Sequence, residues 1–291
     1  MKQAINDESQ FVVELLTTLR RERFSPVAWA RFLKRSWDMS WQMARAHPTL
    51  TRSWARITAL VGVLALAILI VCFRLEGPGS TLRLLPGFLF CVVWQQCDLF
   101  WHLGLNRHAK TGALLPVVGL ATTCTWLRAL AASFLLGRLL AGIGTPGWLA
   151  LSVFLAGVAT DIVDGPIARH TDTQSKLGQI GDGETDFCLY LAISLILIQN
   201  GALPAWLGLL MLLRFCVPVL AALASYFLFT HPLRFGSTVW GKFAGLAQCL
   251  YFLVLLAPPQ FAFIVQPIQF PLLLVTLFLL IAAPVAQARA L

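Results

Sequence analysis

The sequence predicts an all-α protein that crosses a membrane several times, and three observations carry that prediction. The 291 residues are 58% hydrophobic and only 12% charged, where a soluble domain would carry a charged fraction of about 25%. Apolar runs of roughly 20 residues, enough to span the hydrocarbon core, recur along the chain. The loops between those runs alternate between basic and nearly charge-free.

Residues 1–55 read as a cytoplasmic segment of mixed charge studded with aromatics. Ser25-Pro26 is a helix start, with serine as N-cap and proline in the first turn. Beyond it Trp29, Leu33, Trp37 and Trp41 recur every fourth residue, while Arg31, Lys34, Arg35 and Asp38 fall elsewhere around the wheel. An amphipathic helix of this kind suits two settings, the headgroup layer or the protein's own cytoplasmic surface.

The first strongly apolar run begins near Ile57, too far into the chain for a cleavable signal peptide. Residues 56–111 then hold two hydrophobic helices, Ile57–Phe73 and the less clean Leu84–Leu105, separated by a Gly-Pro-Gly loop. Residues 112–291 hold six more: Leu114–Leu140, Gly147–Thr160, Asp182–Gln199, Leu203–Phe229, Gly241–Leu256 and Ile268–Ala286.

Loop charge sets the orientation. With the N-terminus inside, the inside loops carry Arg107 and Lys110, Arg169 and Lys176, Arg234 and Lys242, and Arg289; the outside loops hold Arg74, Arg83, Arg138 and Glu76. The positive-inside rule places both termini in the cytoplasm. The net charge of +9 is concentrated before the first span, with nearly half of the 22 Lys+Arg there. That distribution points to anionic lipid rather than nucleic acid. The seven cysteines are scattered through apolar helices without a C-x2-C pair, so they read as small buried hydrophobes.

Against this apolar background, Asp161, Asp164, Gly165, Ala168, Arg169, Gly178, Asp182 and Asp186 spell D-x2-D-G-x2-A-R-x8-G-x3-D-x3-D. A carboxylate in a membrane segment costs about 2.5–3.5 kcal/mol even on lenient scales, so such residues are functional and paired or metal-bound. Asp161 and Asp164 share a face near the cytoplasmic end of one helix, Asp182 and Asp186 a face near the start of the next. The intervening turn lets the pairs face each other. Arg169 and Lys176 are the nearby cations in sequence, too few for four carboxylates. Oxygen-only ligands suit Mg²⁺ or Mn²⁺, and two such ions a few ångström apart are a device for phosphoryl displacement. Gly165 and Gly178 leave room for a bulky ligand, and Arg169 suits a phosphate oxygen.

These residues match without departure the signature of the CDP-alcohol phosphotransferases, also called CDP-alcohol phosphatidyltransferases, a family the chain resembles over about residues 112–291. Two weaker echoes accompany the signature. Thr125-x2-Arg128 resembles the family's N-x2-T-x2-R, with Thr122 in place of asparagine. Gly241-Lys242-x2-Gly245-x2-Gln248 resembles G-K-x-K-T-x2-Q, with Ala244 and Gly245 in place of lysine and threonine.

The resemblance implies a six-helix membrane core and transfer of a phosphatidyl group from a CDP-alcohol, CDP-diacylglycerol first, to an alcohol with release of CMP. It implies that Asp161, Asp164, Asp182 and Asp186 hold Mg²⁺ or Mn²⁺, two ions, and that Asp186 is the general base. Gly165, Ala168, Arg169 and Gly178 would contact the CDP moiety. Arg128, Arg214 and Lys242 would anchor an acceptor phosphate, such as that of glycerol 3-phosphate or inositol phosphate. A homodimer in a bacterial inner membrane, with its site cytoplasmic, fits the same resemblance. The rival is a non-catalytic lipid-binding transporter or scaffold, though no internal repeat is visible.

Elsewhere, Asp98 and His102 lie four apart on one face, with no third ligand evident from the sequence. His47, His108, His170 and His231 fall in loops and read as solvated.

Overall fold

A computed structural model describes residues 14–225, 227 and 239–289. Arg234, His231 and the end of the expected Leu203–Phe229 span lie outside the described residues. The chain is helical almost throughout: α1 (residues 14–21), α2 (Pro26–Ala46), α3 (Pro48–Trp101), α4 (Leu120–Leu140), α5 (Gly147–His170), α6 (Lys176–Gln199), α7 (Ala205–Ala224), α8 (Val239–Leu256) and α9 (Ala262–Arg289).

Helix α2 begins as its sequence dictates, the Ser25 hydroxyl accepting from the Ala28 N–H at 3.2 Å ahead of Pro26. It packs on the protein's own surface, and the packed stripe is Ala28, Ser40 and Ala44, small residues that permit close approach. Trp37 sits on Phe100 and Trp101, and Ser40 Oγ donates to the Trp101 carbonyl at 2.7 Å. The expected aromatic stripe is therefore split, since Leu33 and Trp41 remain exposed.

Helix α3 runs for 54 residues but folds back on itself at Gly77. Trp54 Nε1 donates to the Gln96 carbonyl at 3.2 Å, and Thr58 Oγ1 donates to Gln96 Oε1 at 3.0 Å, so the two arms lie side by side. The expected Gly-Pro-Gly loop shrinks to one residue. Gly77 takes φ 82°, which costs glycine nothing, and Pro78 starts the second arm in its pre-set conformation.

The apolar run from Leu114 does not start a helix there. Residues 106–119 cross the molecule as an irregular segment, because buried Asn106 binds their backbone: its Nδ2 donates to the carbonyls of Leu115 (3.2 Å) and Val117 (2.9 Å). Helix α4 starts only after Gly119. It forms the centre of the bundle, against α3, α5 and α6. Its backbone meets α3 at Gly137, where a Cβ would lie 2.8 Å from Phe88 Cα. Phe154, Tyr190 and Phe252 bind α5, α6 and α8 into one aromatic cluster, centroids 5.6–6.0 Å apart.

The exterior is apolar. Leu66, Ile70 and Phe73 on α3 and Phe263, Phe270, Phe278 and Ile281 on α9 are all exposed. A surface of this kind is at home among acyl chains and not in water. Among the described residues, five helical segments are long and apolar enough to cross a membrane: α3, α4, α5, α8 and Pro259–Ala286. Helix α6 is more polar because Asp182, Glu184 and Asp186 occupy its first half. This is a polytopic integral membrane protein.

Candidate active site

Three helices bring the motif together. Helix α5 continues unbroken through Gly165-Pro166 to His170, so Asp161, Asp164, Gly165, Ala168 and Arg169 all lie on its last turns. Ser175 caps α6, its Oγ accepting from the Gly178 N–H at 3.0 Å, and Asp182 and Asp186 follow on the next two turns. The third contributor is α4, through Thr122, Thr125 and Arg128.

Arg128 corrects the charge count made from sequence. Its side chain is completely buried, yet it meets all four aspartates: Nη1 lies 3.1 Å from Asp161 and pairs with Asp186, while Nη2 pairs with Asp164 and lies 3.8 Å from Asp182. Arg128, expected as an anchor for an acceptor phosphate, stands among the carboxylates. Sequence distance hid it, because the helix that supplies it begins some forty residues earlier. Thr125, one turn before Arg128 on the same face, donates its hydroxyl to Asp182 Oδ1 at 2.7 Å.

One guanidinium against four carboxylates leaves an excess of negative charge where Asp161 and Asp182 open to solvent, their side chains 51% and 42% exposed. Every available donor is a hard oxygen. The set fits a hard divalent cation and not a soft one.

Beside the aspartates lies a cleft of about 250 Å³ lined by Asp164, Gly165, Ala168, Arg169, Gly178 and Asp182, together with Thr122 and Thr125. Gly178 makes its close approach to α4 here: a Cβ would lie 3.2 Å from Thr122 Oγ1. The Arg169 guanidinium folds back over Gly165, 3.3 Å from where a Cβ would sit.

The turn joining α5 to α6 is clasped from outside. Ala109 N donates to the Gln174 carbonyl at 2.8 Å, and Lys176 N donates to the Arg107 carbonyl at 3.0 Å. His108, expected to be solvated, is 7% exposed and sets Nε2 3.2 Å from Asp172 Oδ1. Asp172 has φ 48°, a left-handed conformation that aspartate tolerates better than most residues. These clasp residues carry no motif, so nothing in the sequence marks them.

Neither Arg214 nor Lys242 lines the aspartate cleft, though Arg214 lies within electrostatic reach of Asp186. The Arg214 guanidinium sits 4.5 Å over the Phe215 ring, and its Nη1 is buried with no hydrogen-bond partner among the described residues. Gly245 makes its space, since a Cβ there would lie 2.6 Å from that Nη1. The Gly245 that replaces the family's threonine therefore leaves room for the Arg214 guanidinium. Lys242 is exposed near the start of α8. At the C-terminal end of α3, Glu184 of α6 joins Asp98 and His102, supplying the third group that the sequence did not reveal.

No curated protein and no solved structure matched the chain. The family model described as CDP-alcohol phosphatidyltransferase matches residues 118–282, more than half of the 291 residues and the whole of the aspartate site. The chain belongs to the CDP-alcohol phosphatidyltransferase family.

Proposed function

We propose that this protein moves the phosphatidyl group of CDP-diacylglycerol to an alcohol and releases CMP, at the cytoplasmic face of a bacterial inner membrane. The observation that carries the reading is the cleft in which Gly165, Ala168, Arg169 and Gly178 converge beside Asp164 and Asp182. The small residues leave room for the CDP moiety. Arg169 supplies a fork for a phosphate oxygen, and the first turn of α6 adds the positive end of its dipole.

Asp161, Asp164, Asp182 and Asp186 would hold two Mg²⁺ or Mn²⁺ ions, which supply charge neutralisation at the pyrophosphate and polarise the bond to be broken. Asp186 accepts the proton of the acceptor hydroxyl as that oxygen attacks the phosphatidyl phosphorus. The phosphoanhydride bond to CMP breaks, and the departing phosphate oxygen keeps the electron pair. Arg128 holds the four carboxylates at one place, and Thr125 orients Asp182. The buried Nη1 of Arg214, aided by Lys242, favours an anionic acceptor such as glycerol 3-phosphate or inositol phosphate.

The test is CMP release by purified protein in detergent, with CDP-diacylglycerol and a series of acceptor alcohols. Metal-dependent CMP release accompanied by a new phospholipid is the expected result. Tight binding of the CDP-lipid with no CMP from any acceptor would overturn it in favour of a non-catalytic lipid-binding transporter or scaffold.

A further inference from the structure

We propose that Asp98, His102 and Glu184 form a separate binding site for a borderline transition-metal ion, Zn²⁺ first, joining the cytoplasmic end of α3 to α6. Two of the three residues precede the family match at residues 118–282, so the site joins a part of the chain outside that match to Glu184 within it. Asp98 lies on the last turn of α3 and His102 caps it, while Glu184 comes from α6, far away in sequence.

The geometry is close to that of a bound ion. One ligand atom from each residue lies within 4.8 Å of the others, and His102 Nδ1 is 3.2 Å from Asp98 Oδ1. Ligands about 2.0–2.2 Å from a tetrahedral Zn²⁺ stand roughly 3.4 Å apart, so closing the set takes side-chain movements of about an ångström. The donor chemistry distinguishes this site from the aspartate cluster. An imidazole with two carboxylates suits Zn²⁺, whereas an all-oxygen set suits Mg²⁺ or Mn²⁺.

Charge points the same way. Two carboxylates converge on a single imidazole, and even the protonated ring would leave an uncompensated negative charge. The partly exposed side chains of Asp98 and His102, with the exposed Glu184, leave a route for the ion and a fourth position for water. Glu184 stands two residues from both Asp182 and Asp186, which puts it on the opposite face of α6. The two sites therefore share a helix without sharing a ligand.

The experiment uses the full chain in detergent, stripped with chelator, in the Asp182→Asn/Asp186→Asn background that silences the aspartate site. Zn²⁺ is titrated calorimetrically in excess Mg²⁺, and Co²⁺ is used in parallel for its visible absorption. A single saturable equivalent of Zn²⁺ is expected, with Co²⁺ bands of mixed nitrogen and oxygen coordination. His102→Gln and Glu184→Gln should each weaken binding by more than the roughly 10–100-fold that loss of a supporting hydrogen-bond partner costs. Glu184 is exposed, so its variant keeps the test open if the His102 variant does not fold. Zn²⁺ binding that is unchanged in both variants, as adventitious cysteine binding would be, overturns the site. So does the absence of saturable Zn²⁺ binding in excess Mg²⁺.

Discussion

Helix α4 carries two completely buried arginines, Arg128 near its middle and Arg138 in its last turn, about 15 Å apart along the axis. Arg138 meets one carboxylate, Glu76, at 2.6 Å and donates its other terminal nitrogen to the Gly144 carbonyl at 2.6 Å. That end is balanced in charge: one cation and one anion. Glu76 directly precedes Gly77, so the pair also pins the reversal of α3. Arg128 instead faces four carboxylates. The same residue type on the same helix thus makes a paired structural contact at Arg138 and an open, anion-rich one at Arg128. Burial of an arginine says little about its role, and the local balance of charge says much.

Chelation should separate the two ends most sharply. EDTA is expected to abolish CMP release while leaving the Arg138–Glu76 end, and with it the helical fold, intact by circular dichroism. Full turnover in EDTA would remove the reason for the surplus of carboxylates around Arg128.

Within the anionic end, Asp186→Asn should lower kcat by about 10²–10⁴-fold with CDP-lipid binding retained, the usual contribution of a general base. Asp164→Asn should weaken divalent-metal binding as well, because this aspartate is the most buried of the four. Calorimetric metal titration together with CMP release distinguishes the two variants. Near wild-type turnover by Asp186→Asn would reassign the base.

The arginines themselves come next. Arg138→Met leaves Glu76 without its partner, and breaking a buried pair costs about 3–5 kcal/mol, so its Tm should fall whether or not Mg²⁺ is present. Arg128→Gln should lower the Tm in EDTA and recover a large part of the loss in Mg²⁺, since added cations replace the missing guanidinium. Equal recovery in the two variants would erase the distinction drawn between the ends.

The smallest effect on chemistry is expected from deleting residues 1–47. The described part of this segment packs on Phe100 and Trp101 and contributes nothing to the aspartate cleft. Stability should drop while metal-dependent CMP release stays detectable in detergent. A folded truncation that binds donor without turning over would show that the segment completes the site.

Much of this molecule is legible in its sequence because the relevant physics is local. Apolar run length and scarcity of charge specify membrane-crossing helices, and the Ser25-Pro26 start of α2 follows from backbone capping alone. The spacing of Asp161, Asp164, Gly165, Ala168, Arg169, Gly178, Asp182 and Asp186 identifies the family, since helical periodicity places them on facing turns. The one-residue turn at Gly77 and the delayed start of α4 were not readable: each depends on a distant contact, the pairing of the α3 arms and the grip of Asn106 on residues 115 and 117.

The tertiary structure alone decided which charges meet. Arg128 is remote in sequence from every aspartate it touches, Glu184 is remote from Asp98 and His102, and His108 closes on Asp172 across a long stretch of chain. A sequence records the spacing of groups along one helix, but electrostatic partners are set by which helices pack together. In this bundle that packing depends on glycines, Gly137 letting the α4 backbone approach that of Phe88 and Gly157 making room for the Leu189 side chain.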